Sequence, residues 1–363
     1  MSKSSFSKKI NVLLVPVLAT ISGLILSSVI LLLTNHSPIQ AFSALVNSGF
    51  SCSKLTNCNF FQTLQLATPL ILNGLSATVA FRSGMFSIGQ EGQFLMGAIV
   101  AAWLGYAIHL PPVIHQIVLI AAAVLAGGMY AWIPGILKVK LNINEVITTV
   151  MMNNIAILFM SYVVNFPMNV DKGSTARSSP IDISATLPTF FQGSKWGVGF
   201  VIAIAASIIV YFYIWRSTRG YEQRMSGQSP LFARFGGIKT TRAVLRGMII
   251  SGGLAGMAGA IEVMGVHHRI MQGFSTGLGF DGVMVALLGQ THPVGVVIVG
   301  ILFAGVRLGA QIGLQTFMQI PRELGGVIIA LIILFVSADT FFKDVVQTTQ
   351  KWLNKIFSRF RKA

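Results

Sequence analysis

Residues 91–138 read EGQFLMGAIVAAWLGYAIHLPPVIHQIVLIAAAVLAGGMYAWIPGILK, with no charged side chain between Glu91 and Lys138. A helix crossing the ~30 Å hydrocarbon core of a bilayer needs about 20 residues at 1.5 Å each, so this stretch is long enough for two spans. Pro111 and Pro112 sit near its middle, where a helix has to end. The stretch predicts a transmembrane hairpin. Working outward, charge-free gaps also separate Lys9 from Lys54, Lys54 from Arg82, Glu145 from Asp171, Lys195 from Arg216 and Asp281 from Arg307. They predict spans near residues 10–33, 63–81, 93–110, 113–137, 146–166, 197–215, 245–266 and 323–342. Residues 282–320 are interrupted by His292-Pro293 and read either as one kinked span or as two half-helices of a re-entrant hairpin. The expected fold is an all-α, polytopic membrane bundle of eight to ten transmembrane helices.

Composition agrees. Of 363 residues, 53% are hydrophobic and only 10% charged, against about 25% charged in a soluble domain. A net charge of +16 by itself points to nucleic acid, but a mean hydropathy of +0.74 leaves too little polar surface for a soluble nucleic-acid binder. The cations gather instead in three clusters: Lys3 with Lys8 and Lys9, the run from Arg216 to Arg246, and the run from Lys343 to Lys362. The positive-inside rule places all three on the cytoplasmic face. The chain then divides into a cytoplasmic N-terminus (1–9), a transmembrane domain (10–342) holding a basic loop (216–246), and a cytoplasmic tail (343–363), with both termini cytoplasmic.

The N-terminal apolar run exceeds the roughly 7–15 residues of a signal-peptide core and reads as a retained first span. In the tail, Trp352, Leu353, Ile356, Phe357 and Phe360 are interleaved with Lys351, Lys355, Arg359 and Lys362, a pattern for lying on membrane lipid or for a frayed basic end. Two cysteines exclude a disulfide scaffold and a Cys-based zinc cluster. Cys52 and Cys58 fall in an outward loop, where bonded and free thiols are equal readings.

Some apparent motifs are discounted. Residues 273–277 match G-x-S-x-G and 277–282 match G-x-G-x-x-G, but both fingerprints need a preceding strand and this segment lies between membrane helices. The chain has no Gly-Lys dipeptide and no H-E-x-x-H, so any ATP that drives it binds another subunit. His267 and His268 lie in a loop and read as having no metal role.

Three features are more informative. In the basic loop, residues 229–237 read SPLFARFGG. Ser229 suits an N-cap, Pro230 a first helical position and Gly236-Gly237 a stop, which predicts a helix of about two turns. Leu231, Phe232 and Phe235 share one side of it. Two phenylalanines in a charged, water-facing loop need a cover, either a groove on a cytoplasmic partner or the chain's own helix ends. The second feature is the set of acids at span boundaries: Glu91, Glu145, Glu262, Asp281, Glu323 and Asp339. Ser87 with Gln90 has the S-x-x-Q capping form and Asn142 precedes Glu145 by three residues, so capping is the stronger reading for Glu91 and Glu145. The amides Gln93, Asn153 and Asn154 lie deeper and must pair across helices or line a wet path. The third is glycine at helical spacing, Gly252, Gly256 and Gly259 and then Gly305, Gly309 and Gly313, which predicts close helix packing.

FRSGMFSIGQEGQ at residues 81–93 closely resembles a signature of ABC-type importer permeases in the simple-sugar and nucleoside branch, with Ser87 where that pattern usually has Asn. NEVITTVMMNNIA at 144–156 resembles the second signature of the family. GGLAGMAGA at 252–260, and GFDG at 279–282 running on to ALLG at 286–289, resemble two more. The resemblance implies that residues 220–238 couple the permease to its ATPase, through Glu222, Arg224, Gly227, Pro230, Leu231, Phe232, Phe235, Gly236, Gly237 and Ile238. The family pattern carries an Arg-Ala-x-Gly run and a second alanine before its final Gly-Ile, from which RMSG at 224–227 and FGGI at 235–238 depart. Gln90, Glu91, Gln93, Asn144, Glu145, Asn153, Asn154 and Asp281 are the candidates for the translocation pathway. A second permease subunit, identical or not, and an extracytoplasmic solute-binding protein are also implied, with ATP and magnesium held by the partner ATPase and no cofactor or metal in this chain.

The expected function is that of a bacterial plasma-membrane permease, not an enzyme, importing a nucleoside or simple sugar by alternating access. Nucleosides come first because the two strongest signatures look most like that subgroup, and an uncharged path of amides suits a neutral polar solute. Two other classes stay open on residues alone. One is an ion- or proton-coupled carrier relaying charge through Glu91, Glu145 and Asp281. The other is a membrane hydrolase using Ser275, for which no His and acid are placed to complete a triad.

Overall fold

The computed structural model describes residues 22, 25–34, 36–52, 58–170, 176–190, 196–275, 277–317, 320–321, 325–327 and 330–331. Its regular elements are helices, as the charge-free gaps predict. The chain forms two units, Met1–Phe50 with Val306–Ala363, and Ser51–Gly305. In the smaller one, α1 (Ile25–Leu33) and α2 (Pro38–Phe50) are bent by 114°. There α2 packs on the π-helical turn Ala310–Phe317, so closely that a Cβ on Gly309 would fall 2.1 Å from the Leu45 carbonyl oxygen and one on Gly313 2.6 Å from that of Ala44. Leu31, Ala41, Leu45, Ala310, Leu314 and Ile320 form its core.

The larger unit runs α3 (Asn59–Arg82), α4 (Gln90–Ala107), α5 (Pro112–Leu141), α6 (Glu145–Asn165), α7 (Val198–Arg216), α8 (Thr218–Gln228), α9 (Pro230–Phe235), α10 (Thr240–Glu262), α11 (Leu278–Leu288) and α12 (Pro293–Gly309). The hairpin expected at Pro111-Pro112 is the α4–α5 turn. The centre of the unit is α10, wedged between α4 and α5 by glycine on both sides of each crossing. A Cβ on Gly256 would meet the Ala123 carbonyl oxygen at 2.2 Å, one on Gly97 the Gly256 oxygen at 2.2 Å, one on Gly252 that of Gly127 at 2.3 Å, and one on Gly259 that of Phe94 at 2.1 Å. Bare backbone faces are how helices gain dispersion contact where lipid offers no hydrophobic driving force. Gly305 is buried in α12. The other central helix, α3, buries a run of small polar side chains, and its Ser76 hydroxyl bonds that of Ser251 on α10 at 2.9 Å.

Among the described residues, six helices are long and apolar enough to cross a membrane, seven if the bent α1–α2 pair counts as one. The expected eight to ten include spans at 10–33 and 323–342 that lie wholly or partly outside the described residues. The span expected at 93–110 forms as the 18-residue helix α4, but with Gln90, Glu91 and Gln93 in its first turn it is not among the six, so of the expected hairpin only α5 is a membrane-length apolar helix. Residues 282–317 form neither a kinked span nor a hairpin of two half-helices. They form the end of the short helix α11, a turn with positive φ at Gln290 and Thr291, and α12, which reaches membrane length only together with the π-helical turn that follows it, as Pro293–Gln315. The break does fall at His292-Pro293, because proline lacks an N–H and pushes the residue before it out of the helical region. The N-terminus 1–9 and the tail 343–363 lie outside the described residues.

Candidate functional site

Helices α3, α7 and α11 end together. Arg82, closing α3, donates to the carbonyls of Thr291 at 3.2 Å and Gln290 at 3.3 Å and stands 5.3 Å from the Trp215 ring of α7, with Arg224 of α8 at 5.9 Å from the same ring. Here α10 also begins, with Arg246 reaching Glu222 of α8 at 3.4 Å. This is the basic end. From it, residues 83–89 lie outside any helix and lead back into the bundle, Ser83 and Gly84 closing α3 on the Ala80 and Phe81 carbonyls and the Gly89 carbonyl opening α4.

Such a break inside a membrane protein requires side chains to satisfy the freed backbone groups. Asn153 on α6 does so, its Oδ1 accepting from the Gly92 N–H at 2.8 Å and its Nδ2 donating to the Ile88 carbonyl at 2.8 Å. Thr149, one turn earlier, accepts from the Ile88 N–H at 3.3 Å. The predicted Ser87–Gln90 capping box is not formed: Gly89 is the N-cap, the Ser87 hydroxyl accepts from the Gly89 N–H at 3.3 Å, and neither Gln90 amide atom has a partner among the described residues.

Glu91 lies in the first turn of α4 with 3% exposure, and it caps another helix. Its Oε2 accepts from the Gly279 N–H at 2.7 Å in the first turn of α11, and its Oε1 accepts from the Ser275 hydroxyl. The carboxylate thus sits at two helix N-termini at once, where both dipoles favour negative charge, which explains how an acid is held in the interior. Beside α11, a Cβ on Gly282 would fall 2.3 Å from that of Asn73, nine residues or about 13 Å up α3 from Arg82. The meeting point of α4 and α11 is therefore deep in the bundle. Neither amide atom of the fully buried Asn73 has a partner among the described residues, nor has the Gln93 carbonyl.

The other pathway candidates separate from this layer. Glu145 pairs with Lys138 at 2.8 Å, tying α5 to α6. The α6 cap is Asn144, which accepts from the Val146 N–H at 2.9 Å and the Ile147 N–H at 3.4 Å, and not Asn142, which closes α5 in the left-handed region at φ 51°. Asn154 is exposed, about 100° around α6 from the buried Asn153. Asp281 is partly buried in the first turn of α11. Glu262 pairs with His267 at 3.4 Å where α10 ends in a π-helical turn. Sequence reasoning missed Asn73, a lone amide in an apolar run, and the bond from Ser275 to Glu91, whose partners are 184 residues apart.

At the basic end, α9 has the predicted bounds, with Ser229 as N-cap, Pro230 in its first turn, Gly236 closing it and Gly237 at φ 79°. The Ser229 hydroxyl makes no capping bond. Leu231, Phe232 and Phe235 are 67%, 66% and 85% exposed, so the chain's own helix ends do not cover them. A notch of about 350 Å³ between α8 and α9 is bordered by Glu222, Phe232, Gly236 and Ile238. Behind it, Gln223 donates to the Val79 carbonyl at 3.3 Å and to the Ser83 hydroxyl, and Gly227 lies against Gly84. Cys52 and Cys58 form a disulfide.

Membrane-length helices, two of their neighbours opening in the interior, and a short apolar-faced helix at a basic end define a multi-pass membrane permease. Over residues 59–337 the chain matches the family described as branched-chain amino acid transport system / permease component, and it belongs to that family. It is 36% identical to the guanosine ABC transporter permease protein NupP of Bacillus subtilis, over 95% of this chain and 98% of the relative. It is 32% identical to the nucleoside ABC transporter permease protein NupB of Lactococcus lactis, over 91% and 92%. It is 30% identical to the glucose ABC transporter permease protein TsgB13 of Haloferax volcanii, over 90% and 88%. No solved structure matches. Family membership favours the ABC permease over an ion-coupled carrier.

Proposed function

We propose that the chain imports nucleosides across a bacterial plasma membrane by alternating access, as one of two permease subunits driven by a separate ATPase and fed by an extracytoplasmic solute-binding protein. The observation that carries this reading is the exposed apolar face of α9 on a short helix seated, through α8, on the break that leads to α4. A groove on the ATPase covers Leu231, Phe232 and Phe235, and its movement reaches residues 83–89 through α8. The positive-inside rule puts this end in the cytoplasm. The exposed face of α6 turns toward the second permease, since Asn154 would be costly against lipid but suits a path for an uncharged polar solute. Gln90, Gln93 and Asn73 supply further amides at the depth where α4 and α11 open. Nucleosides are preferred because two of the relatives carry guanosine or nucleoside in their names.

The test is the pair Phe232→Ser and Phe235→Ser in the assembled transporter. The double variant is expected to stay in the membrane fraction, lose copurification with the ATPase and lose at least tenfold in uptake of labelled guanosine. Wild-type uptake would overturn the coupling role of α9.

A further inference from the structure

Between α5, α7 and α10 runs an apolar groove of about 790 Å³. Its walls extend over residues 124–132 of α5, 202–213 of α7 and 249–257 of α10, so it is about 12–17 Å long at 1.5 Å per residue. That is half the ~30 Å hydrocarbon core, the depth of one leaflet. A neighbouring transmembrane helix would need a groove running the full thickness. An acyl chain needs only this half.

Charge marks which end faces the headgroups. Continued toward the basic end, each wall reaches a cation: Arg216 three residues past Tyr213, Arg246 three before Ile249, and Lys140 eight past Trp132 along the same helical stripe. Lys140 and Arg216 are exposed, and Arg246 meets Glu222 only at 3.4 Å, the long end of an ion pair. The Tyr213 hydroxyl, at the end of the groove, lies beside the Arg246 guanidinium. At the opposite end the same three walls, residues 112–123, 198–201 and 258–267, contain no Lys or Arg.

We infer that this groove binds an anionic phospholipid, one acyl chain between α5, α7 and α10 and the phosphate against Arg216, Arg246 and Lys140. The inference requires only that the bundle sits in a bilayer, so a failed uptake assay leaves it standing.

The full-length chain, reconstituted into vesicles, reports the occupant through Trp132, which lines the groove. The probe is phosphatidylglycerol with brominated acyl chains, compared with the same chains on phosphatidylcholine, and the signal is the part of the tryptophan quenching that disappears in Trp132→Phe. Phosphatidylglycerol is expected to be preferred about fivefold for each cation that meets the phosphate. Arg216→Gln with Arg246→Gln should reduce the preference to about the fivefold left by Lys140, adding Lys140→Gln should bring it close to one, and Ala205→Phe, which fills the groove from α7, should remove the Trp132 signal for both lipids. Native mass spectrometry of each variant in mild detergent gives a second reading, with a retained phosphatidylglycerol expected only where the groove and its cations are intact. Equal quenching by the two lipids, or a Trp132 shielded from both because a protein helix fills the groove, would overturn the assignment.

Discussion

Gly84 and Gly227 meet backbone to backbone: a Cβ on Gly84 would fall 2.8 Å from the Gly227 Cα, and one on Gly227 2.6 Å from the Arg82 carbonyl oxygen. Gly84 is also held at φ 82°, where a side chain is strained. The contact has no flexible side chain in it, so backbone packs directly on backbone between α8 and the break that separates α3 from α4.

Gly227→Ala is therefore expected to lift α8 off its seat, lowering thermal stability by ~1–3 kcal/mol and uptake by more than the stability loss accounts for. Gly236→Ala, itself in the candidate coupling segment, is the control for stability alone, because its nearest neighbours stand at 3.5 Å or beyond and its φ of −77° is ordinary. Thermal unfolding in detergent alongside uptake separates the two. Wild-type behaviour in Gly227→Ala would show that the seat yields.

Asn153 and Asn154 are adjacent in sequence and opposite in role. Asn153→Leu strands the Gly92 N–H and the Ile88 carbonyl, each at a cost of ~1–3 kcal/mol in a dry site, so the melting temperature should fall sharply. Asn154→Leu should change stability by no more than ~0.5 kcal/mol, the range of exposed substitutions, while reducing uptake. Equal stability loss in both variants would contradict the separation.

The crossing of α10 and α5 allows no Cβ at Gly256. Gly256→Ala, with the Ala123 carbonyl oxygen at 2.2 Å, should cost at least the upper end of the ~1–3 kcal/mol typical of overpacking. Gly253→Ala, on the same helix, meets the Val124 side chain at 3.0 Å, which can turn aside. Membrane yield and unfolding temperature of the two variants provide the comparison.

Asp182 gives the loop after α6 a pH dependence. Its Oδ1 accepts from the Ser184 N–H at 3.0 Å and its Oδ2 pairs with His109 at 2.6 Å, and these, the Ser184 N–H first, hold the carboxyl below the usual carboxylate range. A carboxyl depressed on folding stabilises the fold above its unfolded pKa, ordinarily ~3.9, and that stabilisation is lost as pH falls through the lower folded value. The protection factor of the Ser184 N–H, the intrinsic exchange rate at each pH divided by the observed one, should be high at neutral pH and fall under acid, and Asp182→Asn should flatten the profile. An unchanged profile in the variant would assign the protection to other contacts.

Much of the fold was legible in the sequence. The limits, to within a few residues, of the helices α3, α5, α6, α7 and α10, the turn at Pro111-Pro112, the helix Pro230–Phe235 and the glycine faces at Gly252, Gly256, Gly259, Gly309 and Gly313 all follow from composition over one or a few turns. The errors share a cause. Spacing along the chain pairs Ser87 with Gln90 and Asn142 with Glu145, whereas the start of α4 is satisfied by Asn153 and Thr149 from α6, and the cap of α6 lies two residues later, at Asn144. Glu91 has capping spacing for α4 and caps α11 instead.

Local composition therefore sets the class, with the approximate length of each helix, its stops and its bare faces, since burial in lipid adds up residue by residue along a segment. The partner of each buried polar group comes from folding alone. Glu91 with Gly279, Asn153 with Gly92 and Gly84 with Gly227 join residues 188, 61 and 143 positions apart. A hydrogen bond or a backbone contact depends on distance and angle, and chain folding sets both without leaving a period in the sequence to read.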